Sequence, residues 1–239
     1  MTTTPTRLHS TMTEYLKEII YGGVDGIVTT FAVVAGFSGA ALEADNTLQL
    51  SFMTVLLFGL ANLFADGTSM GLGNYLSVKS EQELFTILHE KEGALLAQDT
   101  TAERVLTQRI LQEKGFTPPQ AQTLMELYAQ NPAYWTDWLL QHKHEMPDPR
   151  GVNPLLTGLA TLVSFLVFGS VSLIPFFFDG LTSQQAWYGA CAATVAAFVL
   201  LGVLKWRILG EQLLRSVLEL LLIGGVSAVV AYMVGVWLG

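Results

Sequence analysis

Apolar residues run through this chain in five long blocks, near 19–41, 48–78, 154–178, 184–206 and 212–238. Each is long enough for the roughly 20 helical residues that cross a hydrocarbon core. The second block is longer than a crossing needs, which predicts a helix that continues past the bilayer. Between it and the third block lies a polar stretch with no spanning candidate. Its apolar residues recur at helical spacing, as at Trp135, Trp138, Leu139 and His142. This predicts a long helix over 80–98, then helices over 101–114, 118–130 and 132–145. Thr100-Thr101-Ala102-Glu103 and Thr117-Pro118-Pro119-Gln120 fit capping boxes, and Asn131-Pro132 fits a cap followed by a first-turn proline. Gly115-Phe116 fits a helix stop. No strand alternation or internal repeat stands out.

The expected fold is therefore all-α, with five transmembrane helices and a cytoplasmic helical insert between spans two and three. The expected divisions are an N-terminal segment 1–18, spans one and two over 19–79, the insert 80–150, and spans three to five over 151–239.

Charge gives these spans a direction. The twelve Lys and Arg residues all fall on one side of a five-span topology. Arg7 and Lys17 precede the first span. Lys79, Lys91, Arg104, Arg109, Lys114, Lys143 and Arg150 lie in the insert, and Lys205, Arg207 and Arg215 flank the turn between spans four and five. The opposite loops carry Glu43, Asp45 and Asp179 and no base. Basic residues favour the cytoplasmic side, so the N-terminus and insert are expected there and the C-terminus outside.

Composition narrows the function classes. A chain that is 51% hydrophobic and 13% charged is neither disordered nor an ordinary soluble domain. The net charge of -8 comes mostly from acids of the insert, and no basic patch interleaved with aromatics points to nucleic acid. One cysteine, Cys191, excludes a disulfide framework and a Cys-rich metal cluster. The polar start predicts no cleaved signal peptide, and the short termini favour a bacterial inner membrane over an organelle. No Ser/His/Asp arrangement, phosphate-cradling glycine loop or His-Glu-x-x-His motif is present, so an enzyme is not expected.

The costly groups are the acids inside the spans. Asp25 sits in the sequence Tyr21-Gly-Gly-Val-Asp25-Gly26, where Gly22 and Gly26 allow another helix to approach closely. An intramembrane carboxylate is usually functional. Asn62, Asp66, Met70 and Asn74 recur every fourth residue and share one drifting stripe of span two. Oxygen ligands suit hard divalent cations and a thioether softer ones, which reads as an ion path. The same residues also suit interhelical hydrogen bonds with Met70 filling space, and the pattern leaves both open. Glu211, Arg215 and Glu219 read as an interface ion-pair ladder, with Glu219 a second candidate for relaying a proton. In the insert, Glu81, Glu83, Glu90 and Glu92 crowd one helix beside His89, a pattern open to a divalent ion but common on solvated helices. His142 and His144 point apart on a helix and form no ligand pair.

The segment from Glu14-Tyr15-Leu16 through Asp25-Gly26 to Ala35-Gly36, together with Asp66-Gly-Thr-Ser-Met70-Gly-Leu-Gly73-Asn-Tyr75-Leu-Ser, resembles the vacuolar iron transporter family. This family includes yeast calcium-sensitivity complementing carriers of iron and manganese, and many bacterial relatives. The likeness covers nearly the whole chain. It implies a homodimer that moves Fe²⁺, and often Mn²⁺, out of the cytosol in exchange for protons, through a path between protomers. It places the family's pore aspartate on Asp25 and its pore methionine on Met70, while a pore glutamate falls on Asn62, with Asp66 one turn on to replace its charge. It also implies that the insert gathers metal through paired glutamates and a Met-Met-Glu group. Of that set this chain keeps Glu92 and Glu103 and substitutes Leu95, Leu106, Leu139, Leu140 and Lys143. The fold of the insert is expected to persist without its storage role.

The leading expectation is thus a dimeric, proton-coupled exporter with no resident cofactor, the metal being cargo. Two alternatives stand beside it. One is a non-transporting membrane protein whose insert is a partner-binding or regulatory module, a reading that the substituted ligand set and exposed Trp135 and Trp138 motivate. The other is a carrier of a different cation.

Overall fold

The computed structural model describes residues 15–43, 52–178, 180–210 and 212–238. Expectations placed on 1–10, Arg7, Asp45, Asp179 and Glu211 fall outside those residues, as does the side chain of Glu43. Eight α-helices follow one another among the described residues: α1 Leu16–Glu43, α2 Phe52–Gln98, α3 Thr101–Glu113, α4 Pro118–Ala129, α5 Pro132–Lys143, α6 Pro154–Ser170, α7 Ser183–Leu209 and α8 Leu213–Leu238. A 3₁₀ segment, Val171–Phe177, continues α6. No strand occurs among these residues, and five helical stretches are long and apolar enough to cross a membrane. The protein is an all-α, multi-pass integral membrane protein.

The expected third span is one hydrophobic block, but its helix changes character at Ser170. Pro175 explains the change: it offers no N–H and its ring crowds the carbonyl four residues back, so the last turns tighten into 3₁₀ geometry. As expected, the helix of the second block is longer than a crossing needs. α2 is 47 residues long and ends only at Gln98.

Two compact units divide the chain. The first takes the described residues of Met1–Tyr75 and Leu155–Gly239. Its core joins Phe31, Val34 and Ala35 of α1 to Val55, Leu173, Ala186 and Ala190, and a second cluster joins Ile27 to Ala197, Phe198, Leu201 and Leu220. Glycine allows α1 to pack directly on the backbone of α6. A Cβ on Gly22 would stand 2.5 Å from the Thr161 carbonyl oxygen, and one on Gly26 would overlap that of Phe165. Replacing Gly26 by Val is therefore expected to remove most of the monodisperse protein recovered in detergent. Gly225→Ala, which meets nothing within 4 Å, should leave the yield unchanged.

The second unit, Leu76–Pro154, is built from the end of α2 and from α3, α4 and α5. Its core is Leu96, Leu111, Ala121, Trp135, Trp138 and Leu139. The two tryptophans expected to be exposed are buried, Trp135 at 1% and Trp138 at 7% of full exposure. They are the apolar face of α5 turned inward, and Trp135 Nε1–H donates to the Thr107 hydroxyl at 2.9 Å. A helical period alone shows that such a face exists, not whether a neighbour covers it.

The caps follow the sequence with one exception. Gln120 Oε1 accepts from the Thr117 N–H at 2.9 Å, and Asn131 Oδ1 from the Tyr134 N–H at 3.2 Å. Gly115 takes φ +99°, and Phe116 N–H returns to the Leu111 carbonyl, closing α3 as a glycine-terminated helix. The capping box at Thr100 does not form. The start of α3 is capped instead by Asp99, whose Oδ1 accepts from the Thr101 N–H at 2.8 Å, which leaves Glu103 free to turn inward.

Candidate functional site

Within the first unit, α1 and α2 bring the expected polar residues together. Asp25 is half-buried on α1, and its charge interacts with that of Asp66 on α2. Thr29 Oγ1 donates back to the Asp25 carbonyl at 2.8 Å, so its hydroxyl is satisfied within the helix. Met70 stands one turn beyond Asp66 and, like it, is partly buried. The two carboxylates therefore stand on separate helices of one apolar unit, within range of each other's charge, with Met70 one helical turn beyond Asp66.

The two ends of the α2 stripe do different things. Residues four apart on an α-helix drift by about 40° per step. Asn62, at one end, lines an open cavity of about 770 Å³ whose other walls are small or apolar residues of α1, α2 and α8, including Ala32, Gly36, Ala65 and Gly235. Asn74, at the other end, has rotated toward α6, where its Nδ2 donates to Thr161 Oγ1 at 2.7 Å. Asn74 thus plays the interhelical role. The cavity reaches Asn62 but not Asp25, Asp66 or Met70.

One acid of this unit was not singled out in the sequence. Glu18, in the first turn of α1, has a buried Oε2 with no hydrogen-bond partner among the described residues. It lies seven residues before Asp25, two turns along the same helix face. That spacing was the available signal.

Glu219 lies apart from this group. Its carboxylate accepts from Lys205 Nζ at 2.9 Å and from Arg215 Nε at 2.9 Å. A carboxylate held by two cations at the start of a span fits an interface anchor better than a proton relay.

In the second unit, the two glutamates retained from the resemblance meet, but around a lysine. Lys143 Nζ donates to Glu92 Oε1 at 2.8 Å and to Glu103 Oε1 at 3.0 Å, and His144 Nε2 lies 2.7 Å from Glu92 Oε1. Burial alone would push the Glu92 carboxyl up. Hydrogen bonds from Lys143 and His144, with their charges, outweigh it and hold the group below its ordinary value. Burial likewise opposes the charge on Lys143, and its bonds to Glu92 and Glu103 hold its ammonium above the ordinary lysine value.

The other acids that crowd α2 beside His89 do not converge, while Asp137 and Asp148 meet on Arg150, each 2.8 Å from its Nη2. His89 pairs with Asp137 at 3.2 Å and Glu83 approaches Lys79 at 3.9 Å, while Glu81 and Glu90 are exposed. His142 stacks on Trp138 at 4.3 Å between ring centroids and turns Nδ1 to that residue's carbonyl. Among the described residues no group of three or more His, Cys, Asp or Glu is placed to hold a metal ion.

The sign of the pH dependence follows from these shifts. A depressed Glu92 contributes stability above the ordinary carboxyl value of 4.5 and loses it as pH falls through the lower native value. A raised Lys143 contributes below the ordinary 10.5 and loses it only as pH rises beyond that. Hydrogen exchange of α5 amides, corrected for intrinsic rates, is therefore expected to show constant protection across neutral pH. Protection should fall once the solution is more acid than 4.5.

Comparison with known proteins places this geometry in context. A model described as the VIT family matches residues 16–236. The chain is similar to Vacuolar iron transporter 1 of Oryza sativa subsp. japonica, 30% identical over 228 residues, covering 94% of this chain and 85% of that protein. It is similar to the vacuolar iron transporter of Centaurea cyanus, 30% identical over 226 residues, with 94% and 88% covered. The vacuolar iron transporter of Toxoplasma gondii is 30% identical over 240 residues, with 95% and 75% covered. These relatives are named for a vacuole, and none of them favours the bacterial inner membrane.

Proposed function

The chain belongs to the VIT family, and from that membership we propose that it is a membrane transporter of divalent iron. Its relatives in rice and Toxoplasma gondii are named vacuolar iron transporters. The observation that carries the reading over to this chain is that Asp25 and Asp66, on two helices of the membrane unit, lie within range of each other's charge, with Met70 one turn from Asp66. Carboxylate oxygens plus a thioether suit Fe²⁺, and Mn²⁺ after it, better than Ca²⁺ or Mg²⁺, which take oxygen alone. No part of this reading needs an enzymatic step or a resident cofactor.

The mechanism proposed is exchange with protons. Ionised Asp25 and Asp66 take the metal from the cytosol, with Asn62 and Glu18 adding oxygen donors along the same two helices. Protons arriving from the acidic side compete for the same oxygens and release the ion, and the helices then return with their carboxylates protonated. The distribution of basic residues supports an insert on the cytosolic side and transport outward.

A homodimer is part of the same proposal. Ala61, Ala65, Ser69 and Gly73 are exposed at four-residue spacing on α2, next to the stripe of Asn62, Asp66 and Met70. In lipid, small residues at this spacing allow two helices to approach closely. A second copy seated there would bring two sets of these groups to one path.

The test is uptake into vesicles that hold the purified chain, with an acidic interior and metal supplied outside. Fe²⁺ should accumulate well above protein-free vesicles, Mn²⁺ should compete and excess Ca²⁺ should not. Uptake no faster than through bare lipid would refute the carrier. Equal competition by Ca²⁺ would favour a carrier of some other cation.

A further inference from the structure

Three helices of the insert each bring one charged group to a single buried point. α2 supplies Glu92, which is 2% exposed, and α3 supplies Glu103, while α5 ends in Lys143. The Lys143 ammonium stands between the two acids, 2.8 Å from one and 3.0 Å from the other. We propose that this ammonium is the resident cation of the insert: it pins α5 to α2 and α3 without metal, and it keeps divalent ions from a carboxylate site that would otherwise take them. The inference is independent of what the membrane unit carries.

Two further observations support it. The second oxygens, Glu92 Oε2 and Glu103 Oε2, are buried with no hydrogen-bond partner among the described residues. One ammonium thus stands against two carboxylates, and donors remain unused at the same place. Hard divalent ions take six or more oxygens at about 2.0–2.6 Å. Such an ion would lie beside an ammonium that already donates to those carboxylates, and like charges would oppose it. The same helix also offers nothing to help, since Leu139 and Leu140 are fully buried side chains of the apolar core.

Removing the ammonium should then uncover a site. Lys143→Met keeps an apolar stem of similar reach and leaves Glu92, beside His144, and Glu103 on either side of the space the ammonium held, from which small shifts of the side chains can gather them on an ion. Such a set of carboxylate oxygens and an imidazole suits Mn²⁺ or Fe²⁺.

Mn²⁺ bound per chain, measured by equilibrium dialysis of the full-length protein in detergent, tests this. The wild-type count should be unchanged by Glu92→Gln or by Glu103→Gln. Lys143→Met should gain one ion per chain, and adding Glu92→Gln to that variant should remove it. A lower count in either glutamine variant with Lys143 in place would overturn the proposal, because the acids would already be holding metal. So would a folded Lys143→Met chain that gains no ion. If Lys143→Met folds only when Mn²⁺ is supplied, the pin and the uncovered site are both supported; if it stays unfolded with Mn²⁺, the uncovered site is refuted. Ions held in the membrane unit add equally to every count, so a wild-type count of zero speaks against the transport reading and leaves this one standing.

Discussion

Asp25→Asn in vesicles is expected to lower metal flux by about 100-fold while the protein still folds and purifies as the wild type does. The side chain keeps its volume and loses only its charge, and α1 is positioned by Gly22 and Gly26 against α6 rather than by the carboxylate. What disappears is one of two acids that feel each other's charge in an apolar unit. Removing one anionic partner of a desolvated divalent ion costs on the order of 3 kcal/mol, which is about two powers of ten in binding. Flux measured at saturating and at low Fe²⁺ separates the causes. A loss confined to low metal means that Asp25 only captures the ion, whereas a loss at both means that it also takes part in release. Unchanged flux at both would remove Asp25 from the path.

Trp135→Ala is expected to unfold the insert, at a cost of about 3–5 kcal/mol. The indole is 1% exposed, packs among Leu96, Leu111, Ala121 and Leu139, and donates to Thr107, which is itself fully buried. Truncation leaves both a cavity and an orphaned hydroxyl. Limited proteolysis of the full chain should then cut within α3, α4 or α5, at sites protected in the wild type. The same experiment weighs the alternative in which the insert is a partner-binding module. A tryptophan kept for a partner would be replaceable at little cost to folding, so unchanged protection would revive that reading.

Local features of the fold were legible in the sequence. Five apolar blocks gave five spans because the hydrocarbon core demands length and hydropathy together. The insert's helices began at Thr101, Pro118 and Pro132 as their caps and first-turn prolines predict, since those signals act within a turn. The limits of that reading lie where two local options compete. At Thr100 the capping box read from the sequence lost to Asp99, one residue earlier, whose carboxylate takes the Thr101 N–H. Pro175 sat inside an unbroken apolar block whose hydropathy conceals its effect on the backbone.

The site was legible in part, for a different reason. Asp25 and the α2 stripe stand out because a polar group in an apolar block is visible without knowing its neighbours. What those groups meet is decided by packing between helices. Asn74 turned out to bond Thr161, 87 positions away, and Lys143 closed on acids 51 and 40 positions before it. Sequence spacing does not encode such contacts. Glu18 was the exception, since its distance of seven from Asp25 could have been noticed.

The central claim is that protons and metal compete for one pair of carboxylates. It is tested most directly by recording Fe²⁺ entry and internal pH together in vesicles that start acidic inside and hold the wild-type chain. The account predicts that Fe²⁺ enters as protons leave, that collapsing the pH gradient stops accumulation, and that Asp25→Asn loses both signals together. Fe²⁺ entry with no accompanying movement of protons would contradict it.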